Sequence, residues 1–507
     1  MSHRGLFGKL TICILWAVIL IAVCGLAAAA GGQEPATVAP PRVNIVVIYA
    51  DDLGFGDVQC YNPERGKIPT PHVDRLAGQG MRFTDAHSSS GVCSPSRYAL
   101  LTGRYHWRTG KVGIVGVYGP PMIAADRLTV PGLLQQHGYR TAAIGKWHLG
   151  WSWPHKGREV DFTQPIANGP TTRGFDSYFG TDVPNWPPFC FIQDDRTVGI
   201  PSEPLPAHLL RKDRHLASKA GPALPGWRLE AILPELADRA CAWIDEAAKR
   251  PEPFFLYLPL TSPHTPLAVN AEWLRKSGLG RYADFVMETD AVVGRVLDAL
   301  DQSGAAAHTL VLLTSDNGCA PYIGVPGMEA KGHFPSGPLR GYKSDAWEGG
   351  HRVPFIARWP GVVQPGSRCD QLVHQTDLLA TVADLLGAEL PPDAGEDSFS
   401  LLPLLKGADR PVREHAVSQS IGGVLALRRG DWKLIFGKGS GGGSQGSVAT
   451  KGQLYDLAHD LGERQNLYAE QPERVAALTQ LMEKLISEGR STPGARQKNE
   501  GKMPLYR

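Results

Sequence analysis

Cys93 stands alone in GVCSPSRYALLTGR, residues 91–104, with Ser94, Pro95, Ser96 and Arg97 directly behind it. It has no partner at Cys-x-x-Cys spacing and no histidine at zinc-site spacing, so its chemistry depends on groups elsewhere in the chain. Asp51 and Asp52 end the run VNIVVIYADD, and Asp316 and Asn317 end TLVLLTSDNG. Three carboxylates and an amide oxygen make an all-oxygen set of high negative charge. Hard oxygen ligands favour calcium or magnesium, and a crowded acidic set leans toward calcium over magnesium. Either motif by itself reads equally well as a turn or helix cap. Their shared position at the ends of apolar runs is what favours a metal. A thiol suits that site badly, because carboxylates disfavour a thiolate and sulfur is a soft ligand for a hard cation. As encoded, Cys93 is either changed chemically or lies away from the acidic set.

The elements that must position these groups can be read from the apolar pattern. VNIVVIYADD is a β-branched run suited to a strand buried on both faces. YRTAAIGKWHLG stops at Lys146 and His148, and PFFLYLPLTSPHTP stops just before His264. ADRACAWIDEAA and ADFVMETDAVVGRVLDALDQSG carry helical spacing between the strands, the second closed by Gly304. Strands alternating with helices predict an α/β fold built on a large, doubly wound, mostly parallel sheet flanked by helices. Four strands then deliver ionisable groups to one carboxyl edge, where ligands gather in open parallel sheets.

The texture changes after about Pro411. VLALRRGDWKLIFG and QLYDLAHD read as antiparallel strands and PERVAALTQLMEKLISEG as a closing amphipathic helix. GKGSGGGSQGSVATKG between the strands reads as a mobile hairpin tip. The expected organisation is an N-terminal segment over 1–30, a catalytic α/β domain over 42–405 and a small C-terminal α+β domain over 411–495.

Composition narrows the class. The chain has 507 residues and a formal net charge of +2, with no repeat and no basic block to suggest a nucleic-acid partner. Its 58 glycines and 41 prolines fit a loop-rich enzyme better than a helical bundle. Arg4 and Lys9 precede LTICILWAVILIAVCGLAAAA, which reads as an export signal ending in small residues, or as an uncleaved membrane anchor. Lipid attachment at Cys24 is disfavoured by Val23 before it. Cys60, Cys93, Cys190, Cys241, Cys319 and Cys369 are scattered, which leaves room for one or two disulfides of unassigned pairing.

At this point the residues carry a resemblance. GVCSPSRYALLTG is similar to the first signature of the sulfatase family, the formylglycine-dependent, arylsulfatase-like branch of the alkaline phosphatase superfamily. GYRTAAIGKWH, residues 138–148, resembles the second signature, and FTDAHSSSGVCSPSR, TTRGFD and YKSDAWEGGHRVP resemble further family segments in order. The resemblance implies that a maturation enzyme reading Cys-x-Pro-x-Arg oxidises Cys93 to formylglycine. The hydrated aldehyde then offers a metal-polarised hydroxyl to sulfur. It also implies Asp51, Asp52, Asp316 and Asn317 as metal ligands, completed by residue 93. Arg97 would hold the diol, Lys146 and Lys343 the sulfate oxygens, and His148 would take the second proton. His264 would protonate the leaving oxygen, as a histidine can near neutral pH. Lys343 lies five residues before Glu348, at the family spacing.

Each of these residues has a plainer reading when taken singly. Arg97 and Lys343 would be surface charges, and His148 and His264 structural histidines. For His87, His106 and His351 the structural reading is kept. The nearest rival activity is a formylglycine-dependent phosphonate or phosphodiester hydrolase, but such relatives tend to carry histidine where this chain has Asn317. A non-catalytic binder of sulfated glycan is the alternative outside enzymes. Trp151, Trp153, Trp186, Phe189 and Phe191 among charges suit a sulfated sugar, although they could equally pack rigid loops. The expected substrate is therefore a sulfated small molecule or glycan met outside the cytoplasm. The oligomeric state is not readable from the sequence.

Overall fold

Ten strands make the central sheet: β1 (Asn44–Asp51), β2 (Met81–Phe83), β3 (Arg140–Lys146), β4 (Ser177–Thr181), β5 (Ile192–Gln193), β6 (Arg196–Thr197), β7 (Phe254–Pro263), β8 (Thr309–Ser315), β9 (Phe355–Arg358) and β10 (Ser367–Cys369). Their order is β10-β2-β9-β8-β1-β7-β3-β4-β5-β6. The structure is a computed structural model that describes residues 43–210 and 218–507. The N-terminal segment expected to act in export or anchoring lies outside the described residues. No helix among the described residues is long and apolar enough to cross a membrane.

The block β8-β1-β7-β3-β4 is parallel throughout. The flanks turn antiparallel at β9 and at β5. Alternation along each inner strand explains the layers. Val46, Ile48, Leu256, Leu258, Val311 and Leu313 point to one face, where they meet α1 (Pro71–Gly78), α4 (Ile232–Ala247) and α5 (Arg281–Gln302). Ile45, Val47, Phe255, Tyr257, Leu310 and Leu312 point to the other, against α2 (Cys93–Thr102), α3 (Val130–Gln136) and α6 (Asp377–Leu386). Burying each such side chain contributes roughly 1.5–3 kcal/mol. That slab offsets the cost of holding charged groups at its edge.

Register brings those groups level. Asp51 pairs with Pro263 across a local irregularity after Tyr49, and Ala50 pairs with Ser315. The residues that follow, Asp52, His264 and Asp316, therefore leave the sheet side by side. Lys146 ends β3 opposite Thr181.

The C-terminal region forms a four-stranded antiparallel sheet of β11 (His415–Gln419), β12 (Leu425–Arg429), β13 (Trp432–Ile435) and β14 (Gln453–Asp456). On one face Leu425, Leu427, Leu434 and Leu454 pack with Leu478, Met482 and Leu485 of α7 (Pro472–Glu488) and with Tyr105 and Trp107. The other face packs Val424, Ala426 and Ile435 against Ala346 and Trp347, a few residues beyond Lys343. Residues 43–507 form one compact unit. The six cysteines after residue 43 are free thiols.

The glycine- and serine-rich hairpin differs from its sequence expectation. It is not a free tip. The Ser440 carbonyl accepts from the Ala346 amide at 2.8 Å, and the Ser444 amide donates to Asp345 Oδ1 at 3.2 Å. The Ser444 hydroxyl donates to the other Asp345 oxygen. Gly442 is required at the contact, because a Cβ there would lie 2.4 Å from the Ser344 carbonyl oxygen.

Candidate active site

Cys93 opens α2, whose N-terminal residue it is, and is 2% exposed. Its Sγ lies 3.8 Å from Asp51 Oδ1 and 3.6 Å from Lys343 Nζ. One ligand atom from each of Asp51, Asp52, Cys93 and His264 falls within 4.8 Å of the others. The thiol is therefore at the acidic set, and the alternative that it lies elsewhere is removed.

Each carboxylate meets a cation. Lys146 Nζ donates to Asp51 Oδ2 at 2.8 Å, and Lys343 Nζ donates to Asp52 Oδ1 and Oδ2 at 2.6 and 2.8 Å. Arg97 donates to Asp316 Oδ2 at 2.8 Å, and its guanidinium is fully buried over the Tyr49 ring. The surface-charge reading of Arg97 and Lys343 fails on this burial. Burial would raise the Asp51 carboxyl, but Lys146, His264, Arg97 and Lys343 together hold it well below the usual carboxylate range. Asp316 shows the crowding instead: burial, with the Asp51 charge next, pushes it up to about 7.

The donor set fits a hard divalent cation. Asn317 Nδ2 donates to Asp52 Oδ1 at 2.7 Å and to the Gly318 carbonyl at 2.8 Å. Its Oδ1 is buried with no hydrogen-bond partner, an amide oxygen left free to accept a metal ion. Three carboxylates beside it supply the negative charge such an ion needs.

The two histidines differ in which nitrogen is free. His148 Nε2 lies 3.0 Å from the Val115 carbonyl, which can only accept, so Nε2 carries the proton and Nδ1 is left as a base. That Nδ1 is buried and unpartnered. Burial, reinforced by Lys146 and Arg97, holds the His148 pKa well below its usual value, so the ring is neutral and able to accept. His264 Nδ1 faces the Thr265 carbonyl, which turns Nε2 toward Asp52 Oδ2 at 3.8 Å.

Backbone strain gathers here. Asp52, His148 and Ser344 are three of the eight non-glycine residues with positive φ among the described residues, at 66°, 51° and 83°. Such conformations persist only where the surroundings enforce them. Asp52 is held by its amide donating to Asp316 Oδ1 at 3.1 Å. Ser344 is held by its amide on the Gly91 carbonyl at 2.6 Å and by its carbonyl receiving the Ile421 amide at 3.0 Å. The Lys343 amide donates to the Cys319 carbonyl at 2.8 Å. The turn that carries Lys343 is thus clamped between the Cys93 segment and the β11–β12 turn, and the glycine-serine hairpin holds Asp345 and Ala346 directly after it. Sequence reasoning missed this clamp, since nothing local in a glycine-serine run says where it docks.

The aromatic cluster separates on burial. Trp151, Trp153 and Phe189 are 1%, 6% and 2% exposed and belong to the interior, and half-buried Phe191 stacks on Phe179. Only Trp186 of the five touches a site residue, its ring 5.3 Å from that of His148. The structural readings of His87, His106 and His351 agree with their surroundings. His106 is held between Ser89 and Gln419, and His87 touches His351 inside a buried charged cluster.

The comparisons with known proteins agree with this geometry. Residues 43–388 match the family model described as sulfatase, and 343–491 match the C-terminal part of N-sulphoglucosamine sulphohydrolase, a stretch that begins at Lys343. An N-acetylgalactosamine-6-O-sulfatase of Bacteroides thetaiotaomicron is 33% identical over 481 residues, covering 87% of this chain and 93% of the relative. Human arylsulfatase A is 34% identical over 474 residues, 87% of each chain. A solved structure from work on the metabolism of multiple glycosaminoglycans by Bacteroides thetaiotaomicron superposes with a TM-score of 0.78 at 31% identity. It spans 88% of this chain and 99% of that one. The chain belongs to the sulfatase family and is a sulfuric ester hydrolase.

Proposed function

We propose that this sulfatase removes sulfate from a sulfated carbohydrate by means of a formylglycine made from Cys93, with calcium bound by Asp51, Asp52, Asp316 and Asn317. The observation that carries the reading is the convergence on Cys93 Sγ of Asp51 at 3.8 Å and Lys343 at 3.6 Å. A soft sulfur suits a site built for a hard cation badly, whereas a hydroxyl oxygen suits it. A maturation enzyme supplies the oxidation of the thiol to the aldehyde, and water hydrates it. Calcium held by Asp51, Asp52, Asp316 and Asn317 would supply Lewis-acid polarisation to the reacting groups.

The residues of the chain do the rest. Lys146 and Lys343 move from carboxylates to sulfate oxygens and offset the charge that grows during transfer. Arg97 holds the hydroxyl at residue 93 against Asp51 and Asp316. One hydroxyl of the hydrate forms the bond to sulfur while the bond from sulfur to the leaving oxygen breaks. His264 Nε2 gives that oxygen its proton. His148 Nδ1 takes the proton of the second hydroxyl, the carbon–oxygen bond breaks, sulfate leaves and the aldehyde returns. The balance is one ester and one water converted to one alcohol and one sulfate. Asn317 at the ligand position favours sulfate over phosphonate.

The carbohydrate reading rests on the names of the relatives and on Trp186 at the site. The N-terminal segment would export or anchor the protein where such glycans are met. A panel of sulfated glycans and a simple aryl sulfate, with released sulfate measured, tests the reading. Turnover of glycans at higher kcat/KM than the aryl sulfate is expected. Turnover of the aryl sulfate alone would overturn the carbohydrate assignment.

A further inference from the structure

Trp186 carries a cation on one face. Lys219 Nζ lies 3.4 Å from the centre of its indole ring, while the same indole packs nearly perpendicular to the His148 ring, centroids 5.3 Å apart. Lys219 is exposed, and among the described residues no carboxylate pairs with it. An indole face holds an ammonium in place without neutralising it. An ammonium held this way keeps its direction as well as its charge.

Its position is set by backbone. The Lys219 amide donates to the Asn185 carbonyl at 3.0 Å, one residue before Trp186. Phe189 and Leu224 continue the pairing, with the Phe189 amide on the Pro222 carbonyl at 3.0 Å and the Leu224 amide on the Phe189 carbonyl at 2.9 Å. The two segments approach so closely that a Cβ on Gly221 would lie 2.4 Å from Pro187 Cβ. The turn carrying Trp186 is tied inward as well: its Trp186 amide donates to the Val183 carbonyl at 3.1 Å, and the neighbouring Asp182 Oδ1 receives the His148 amide at 3.2 Å. Lys219 is therefore presented on a braced arm two ring contacts from the catalytic base, outside the group of cations that face the sulfate.

We propose that Lys219 on Trp186 is a specificity-determining subsite for a second anionic group of the substrate, so that an acidic saccharide is preferred over a singly charged one. This rests on the sulfated-carbohydrate reading above and adds the charge class of the neighbouring unit. The second anion is a hexuronate carboxylate or another sulfate; both offer oxygens to an ammonium.

The test uses the matured enzyme and three probes: a singly sulfated hexosamine, the same hexosamine linked to a hexuronate, and its disulfated form. For wild type, kcat/KM should be higher for at least one doubly charged probe, with the advantage shrinking as salt rises. Which of the two probes shows it distinguishes carboxylate from sulfate. In Lys219→Met the ratio of doubly to singly charged kcat/KM should fall about three- to tenfold, through KM, and Lys219→Arg should restore most of it. An unchanged ratio, or equal losses on all probes, would overturn the subsite. Binding of the same probes to Cys93→Ala protein is measured in parallel. If no probe is turned over but Lys219→Met weakens only the doubly charged ones in binding, the carbohydrate sulfatase reading fails and the subsite stands.

Discussion

At the carboxyl ends of β1 and β8, Asp51, Asp52 and Asp316 face Arg97, Lys146 and Lys343. At the seam with the C-terminal sheet, Asp85, Glu348 and Glu463 face Arg352, Arg428 and Lys433. Both clusters hold three carboxylates and three cations, and both bring metal-type ligand atoms within 4.8 Å of one another. They differ in how those charges close. At the seam, the Lys433 side chain is 1% exposed and its Nζ sits 2.9 Å from Glu348 Oε1 and 2.8 Å from Glu463 Oε1, while His87 Nδ1 meets His351 Nδ1 at 3.0 Å. The ligand-type atoms of His87, Glu348 and His351 are already spent on protein partners, and Glu463 Oε1, which has no hydrogen-bond partner, is closed off by the Lys433 ammonium. At the sheet edge, Asn317 Oδ1 and His148 Nδ1 have no partner, and the side chains of Lys343 and His264 are each 10% exposed. Crowded acids and histidines do not by themselves make a reactive site. Unspent acceptors beside an opening do.

The sharpest way to break the comparison is to remove one group from each cluster. Cys93→Ala should lower sulfate release on the order of 10⁴-fold, with the fold intact by circular dichroism. Asp316→Asn should cost on the order of 10³-fold in kcat and weaken calcium binding measured by calorimetry. Chelation of the wild-type enzyme should do the same reversibly, with calcium restoring more activity than magnesium. Undiminished turnover after thorough metal removal would show that the sheet-edge cluster, like the seam, closes on its own lysines.

Lys433→Met should act on stability instead. It leaves Glu348 and Glu463 buried without their shared cation, at a cost of about 3–5 kcal/mol in urea unfolding, while turnover per folded molecule changes little. A loss of kcat in folded protein with unchanged stability would move Lys433 into the reaction. Gly442→Ala should fall between the two. By pushing on the Ser344 carbonyl it should displace Lys343, lowering kcat on the order of tenfold with a smaller effect on melting.

The smallest expected effect concerns pH. Burial pushes Glu463 from its ordinary 4.5 up to about 7, against the pull of Lys433. Between these values the folded protein keeps a proton that the unfolded chain has released, so stability falls as pH rises through that window. Glu463→Gln should flatten the change in melting temperature between about pH 5 and pH 7. A slope equal to that of wild type would place the titration elsewhere.

How much of this was legible in the sequence follows from the range of the signals. The four strand ends were readable because an apolar run and the polar residue that stops it are adjacent in the chain, and parallel pairing then brings such ends level. The seam was not. Lys433 lies on β13 and Glu348 opens a one-turn helix, Glu348–His351, and no local period links them. The same holds for the hairpin against Asp345, where a composition that reads as mobility is a requirement for close backbone approach. Trp151 and Trp186 look alike in sequence. Burial alone separates them, since Trp151 is held by Asp182 at 3.2 Å inside the layer and Trp186 is left at its rim.

The chemistry depends most on what stands at position 93. Preparations matured to different extents should be digested, and the aldehyde in the peptide carrying residue 93 quantified by hydrazide capture and mass spectrometry beside specific activity. Activity rising in proportion to aldehyde content and vanishing with it is the predicted result. Full activity in protein whose residue 93 is an intact thiol would contradict it.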